Sequence, residues 1–196
     1  MSDPQRREFL AAAGMASLAA LGGAQPAAGG DPSFMNNVPD PTLAGKDLPT
    51  GGREWRVDSS RFPIAKTITG VVLDLDPGAL RTLHWHPNAD EWQYVIDGEV
   101  SVTLFGSHGR YRIERLQKGD VGYIPQGYGH SIENVGSAPA RILIGFNAGI
   151  YETIDLSQWI AANPKDVLAT NFGQPAEVFE KFPDRDVFIA GRDGTR

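Results

Sequence analysis

From Trp55 onward the chain alternates: short apolar runs are cut at regular intervals by Gly, Pro, Asn and Asp. Among the runs ITGVVLDL, WQYVI, VSVTLFG, YRIERL, VGYIP, HSIENV and RILIGF, the two on either side of Asp97-Gly98, WQYVI and VSVTLFG, repeat apolar positions every second residue. That is the period of a half-buried strand and not of a helix. Chain-bending segments separate them: Asp76-Pro77-Gly78, then Asp97-Gly98, which reads as a hairpin turn, and Ser107-His108-Gly109, a second loop tip. Many short strands at such spacing predict an all-β antiparallel sandwich or barrel over residues 55–155.

The pattern changes on either side of that block. After it, Asp155 reads as the N-cap of a helix with Gln158 at the capping-box position. Pro164 and Pro175 suit the first turns of a second and a third helix, the last ending before Pro183. Residues 156–196 thus predict a short helical cap over one open side of the barrel. The apolar tail 186–190 should lie on protein, its own chain's or a partner's. Before the block, residues 29–54 are rich in Gly, Pro, Asp and Asn, show no period, and read as an irregular N-terminal arm. In residues 1–28, Arg6-Arg7-Glu8-Phe9-Leu10 precedes a weakly apolar Ala, Gly and Leu stretch, which resembles a twin-arginine (Tat) export signal. It predicts a periplasmic or secreted protein and the Tat machinery as a transient partner. The stretch is too short and Gly-rich for a good membrane span, so no stable insertion is expected after processing.

Composition narrows the chemistry. The 196 residues include no cysteine, so a tight metal site must use nitrogen and oxygen ligands. A net charge of −6 with no basic run beyond the N-terminus argues against nucleic acid as a partner. Three of the four histidines and one glutamate stand in a double pattern, Gly78-x5-His84-x-His86-x4-Glu91-x6-Gly98 and Gly119-x5-Pro125-x-Gly127-x2-His130-x3-Asn134. His84 and His86 share a face of any strand through them, and the turn-like segment 87–90 should bring Glu91 back beside them on the next strand. With His130 they make a candidate metal site that suits Mn, Fe, Ni, Cu or Zn. Three neutral imidazoles and a carboxylate around a divalent ion carry a charge of about +1, which favours an anionic guest. Asp90 reads as a turn residue, His108 as exposed, and Trp85, Trp92 and Tyr94 as outer-face packing.

The double pattern resembles the two signature motifs of the cupin superfamily. The wider stretches PGALRTLHWHPNADEWQYVIDGEVSVTLFG and GDVGYIPQGYGHSIENVG look like oxalate decarboxylase, over about residues 55–171. The resemblance implies a small cupin jelly-roll barrel and Mn(II) held octahedrally by His84, His86, Glu91 and His130. Two positions would be left for substrate, dioxygen or water. It also implies a small dicarboxylate substrate and an arginine, Arg81 here, that polarises it. Strict alternation puts Arg81 on the face opposite His84 and His86, so this role requires a bulge between Arg81 and His84. Oxalate decarboxylases carry a Ser-Glu-Asn-Ser lid whose glutamate transfers protons. That run is missing here, the lid is about three residues shorter and closer to the one in the family's second cupin domain, and Glu152 is the candidate in its place. Where that second domain has a further glutamate, Ile144 stands. The expected activity is oxalate decarboxylation; oxalate oxidation and non-catalytic manganese binding are the alternatives. Because relatives carry two cupin domains in one chain, a homo-dimer or higher homo-oligomer is expected.

Overall fold

Strand β2 (Thr69–Leu75) shows how alternation becomes a core: Val71, Leu73 and Leu75 are buried while Gly70, Val72 and Asp74 between them are half-exposed. The computed structural model describes residues 51–192; the expected export signal and the arm up to residue 50 lie outside the described residues. In one five-stranded sheet β1 (Gly52–Val57), β2, β9 (Ala140–Phe146), β4 (Glu91–Asp97) and β7 (Val121–Ile124) lie side by side in that order. The second sheet runs β10 (Ile154–Asp155), β3 (Leu80–Trp85), β8 (Gly129–Asn134), β5 (Glu99–Phe105), β6 (Tyr111–Gln117), with β11 (Ile189–Ala190) also paired to β3. All pairings are antiparallel. Inward rows from both sheets, including Ile142, Ile144 and Phe146 of β9, Val95 of β4, Val100 and Val102 of β5 and Ile132 of β8, form one cluster. Each such side chain contributes about 1.5–3 kcal/mol by leaving water.

Four expectations are corrected. Asp97-Gly98 is not a hairpin: β4 pairs with β7 and β9, β5 with β6 and β8, so the turn carries the chain from one sheet to the other. Gly98 sits at φ 86°, and a Cβ there would stand 2.7 Å from the backbone of Ala140, so the crossing needs glycine. The ordered strand begins at Gly52, three residues before the apolar pattern, and takes Glu54 into the interior. Of the three helices, α1 (Leu156–Ala161) and α2 (Lys165–Phe172) are α-helical, and the third, Ala176–Lys181, is a 3-10 helix. Pro164 and Pro175 stand at their N-caps, one position earlier than the first turn. Trp159 of α1 meets Trp85 of β3 edge-on at 5.8 Å, while α2 and the 3-10 helix pack on each other around Leu168 and Phe179. The tail lies on its own chain, through β11.

Candidate metal centre

His84 lies on β3, His86 just beyond it, His130 opposite His84 on β8, and Glu91 at the start of β4. Glu91 is therefore not beside the histidines on a neighbouring strand, as the turn suggests, but in the opposite sheet, facing them across the interior. All four side chains are buried, and their ligand atoms lie within 4.8 Å of one another.

Backbone carbonyls fix the imidazoles. Nδ1 of His84 donates to the Thr82 carbonyl (2.7 Å), Nδ1 of His86 to that of Glu152 (2.7 Å) and Nδ1 of His130 to that of Tyr128 (3.1 Å). A carbonyl oxygen only accepts, so each Nδ1 carries the proton and each Nε2 presents its lone pair. Burial, then Arg81 and the other two imidazoles, drives the His84 pKa well below its usual range, keeping the ring neutral. Glu91 Oε2 stands 3.0 Å from His86 Nε2 and 2.9 Å from His130 Nε2, and Gln93 Nε2 donates to its other oxygen at 2.6 Å. Lone pairs this close to a carboxylate repel unless a cation lies between, and one divalent ion serves all four groups where buried imidazoliums would be costly. Two ligands at right angles on an ion with bonds of about 2.1 Å stand about 3.0 Å apart. The donor set thus fits a metal ion, with the outer hydrogen bonds that such sites use to aim their ligands.

The same cavity, about 10 Å³, is lined by Arg81, Glu54 and Tyr151 and walled by Ile132, Ile144 and Phe146. Arg81 reaches it because β3 carries the bulge that alternation demands: Arg81 pairs Ile132 and His84 pairs His130, three residues of β3 spanning two of β8. Arg81 as a whole is 1% exposed. Its Nη1 donates to Asp155 Oδ1 at 2.5 Å and to the Phe188 carbonyl at 3.2 Å, its Nη2 to Thr153 Oγ1 at 3.3 Å, and the Phe188 ring stacks on it at 3.6 Å. Asp155, expected as a helix cap, makes no side-chain cap bond and is instead the buried counter-ion of Arg81. Glu54 Oε2 lies 3.9 Å from Arg81 Nε. Burial outweighs Arg81 and raises the Glu54 pKa to about 7. Tyr151 packs against the rings of His86 and Phe146 at 5.3 Å each, and burial raises its pKa.

The carboxylate of Glu152 is not brought into the cavity; its side chain is exposed, and its carbonyl, by holding His86, is what serves the site. His108 is exposed at the β5–β6 tip, Trp92 and Tyr94 face outward, and Asp90 accepts the Gln126 amide at 2.8 Å in its turn. Sequence reasoning missed Glu54, Tyr151 and the role of Asp155. For Glu54 the available signal was an acid at an inward register position of a strand too polar to be read as one.

The chain belongs to the cupin family, whose model matches residues 37–178. Within it, the chain is similar to oxalate decarboxylases. It is 44% identical over 115 residues to oxalate decarboxylase OxdC of Bacillus subtilis, covering 59% of this chain and 30% of that one. To an oxalate decarboxylase of Arthroderma benhamiae it is 39% identical over 140 residues, covering 71% and 33%. The chain thus spans about a third of the length of these relatives. A solved structure of the Bacillus subtilis oxalate decarboxylase at pH 4.6 superposes with a TM-score of 0.71 at 35% identity, covering 74% of this chain and 38% of that one.

Proposed function

We propose that this cupin is a Mn(II)-dependent, oxalate-decarboxylase-like enzyme that converts oxalate, or a similarly small dicarboxylate, to formate and carbon dioxide. The observation that carries it is the convergence of three bare Nε2 atoms and one carboxylate on one another, beside a cavity lined by His84, His86, Glu91 and a buried arginine. A structure of the Bacillus subtilis relative concerns its Mn(II) centers, which supports manganese here. When bound, the ion supplies Lewis acidity and, with dioxygen, redox chemistry. His84, His86, Glu91 and His130 hold it. Arg81 contributes positive potential to a water-poor cavity, where it counts for far more than in solvent. Asp155, Thr153 and the Phe188 carbonyl take three of its four Nη protons and hold the guanidinium in place beside the substrate as an oriented positive charge. A cavity of about 10 Å³ holds one water-sized body. Oxalate entry therefore requires lining side chains, such as Tyr151, to move.

The exposed Glu152 carboxylate favours a second reading, oxalate oxidase, in which oxalate and dioxygen give carbon dioxide and hydrogen peroxide. Incubating the Mn-loaded protein with oxalate and dioxygen at mildly acid pH separates the two. Formate is the expected product; peroxide in its place would establish the oxidase, and neither product would leave a non-catalytic manganese-binding cupin. The motif in residues 1–28 supports work outside the cytoplasm after Tat export.

A further inference from the structure

We propose that Glu54, and not Glu152, is the proton donor of this site. The inference rests on the decarboxylase reading and deepens it. Glu54 is 2% exposed and lines the cavity together with Arg81, His84, His86, Glu91 and Tyr151. Its Oε1 is buried and has no hydrogen-bond partner, whereas its Oε2 faces Arg81 Nε at 3.9 Å, beyond hydrogen-bond range. An unpartnered buried carboxyl oxygen is costly, and natural sites keep one where a guest or a proton transfer uses it. The groups facing it are Arg56 from its own strand, Arg81 from β3, Glu91 from β4, Asp155 from β10 and Tyr151. Burial is the largest of these influences and favours the neutral acid in the metal-free protein.

The step balances without another reactant. The bond between the two carboxyl carbons breaks, and its electron pair stays on the carbon that is retained. Carbon dioxide leaves, and the Glu54 proton forms the new C–H bond of formate. The Glu54 carboxylate left behind is stabilised by Arg81 and regains a proton from solvent before the next turnover. Glu152 does not line this cavity, and its side chain is exposed.

The test compares Glu54→Gln with Glu152→Gln, both Mn-loaded. Formate turnover is expected to fall about 100-fold or more in Glu54→Gln, the range that general-acid groups supply, with metal content unchanged and peroxide a larger share of product. An independent readout is the infrared carbonyl band of a buried protonated carboxyl, present in the wild-type protein at mildly acid pH and absent from Glu54→Gln. Formate within about threefold of wild type in Glu54→Gln, or loss of formate in Glu152→Gln alone, overturns the proposal and leaves the decarboxylase reading standing. No formate from the wild-type protein overturns that reading, and this step with it. If Glu54→Gln fails to fold, Glu54→Asp carries the test. An acid set back by one methylene should cost at least about tenfold in formate turnover, and an unaltered rate overturns the assignment.

Discussion

At Asp155 two uses of one carboxylate compete. Capping α1 is worth about 1 kcal/mol, whereas a buried guanidinium left without its partner costs about 3–5 kcal/mol. The larger effect wins, and Asp155 turns to Arg81. Asp155→Asn is therefore expected to lower stability by about 3 kcal/mol in urea melts; a loss near 1 kcal/mol would mean that the cap matters more. This also shows what was legible at this scale. The residue type and the helix start could be read locally, but the partner, 74 positions away, could not. Glu54 adds a pH dependence. Its folded pKa of about 7 lies above the ordinary 4.5, so between these values the folded chain keeps a proton that the unfolded chain has released. The stability this brings is full below pH 4.5 and is lost as pH rises through 7. In metal-free protein, wild type should lose roughly 3 kcal/mol relative to Glu54→Gln across that window; parallel pH profiles in urea melts would contradict it.

Strands were the most legible elements because their alternation is set locally, and β2, β4 and β9 bury the side chains their patterns mark. Partner strands are not local, which is why Asp97-Gly98 reads as a hairpin and proves to be a crossing. In β3 the failure of simple alternation was itself informative. One extra residue, accommodated as a bulge, lets both Arg81 and His84 face inward. Deleting Leu83, which is 52% exposed, would leave Arg81 and His84 two apart and still inward on a regular strand. It would also displace the Thr82 carbonyl that orients His84. The metal ion should still bind, about 10–100-fold more weakly, as equilibrium dialysis would show. Complete loss of binding would mean that the bulge does more than set register.

At the scale of the whole molecule, the outer face of β4 and β7 is apolar. Trp92 pairs across with Tyr123 and Tyr94 with both Val121 and Leu143, and these residues are between 36% and 57% exposed. Contiguous apolar surface of this kind marks an association site. The protein is expected to sediment as a dimer or larger, and Trp92→Glu to shift it toward monomer with its metal retained. A wild-type monomer at micromolar concentration would refute this. Neither partner nor interface could be read from alternation, which assigns Trp92 and Tyr94 outward without saying what covers them.

The pairing of β11 with β3 links Arg81 to a segment 107 positions further along. Closing so long a loop costs entropy before any contact repays it, and contacts of such separation slow folding. The ion-holding half of the cavity draws on His84, His86 and Glu91, close neighbours in the chain, and on His130, all nearer in sequence than the tail, so during refolding it can take shape ahead of the half that the tail completes. Renaturing molecules are then expected to capture a divalent ion before the charge beside it is locked, with recovery of bound metal running ahead of recovery of any turnover.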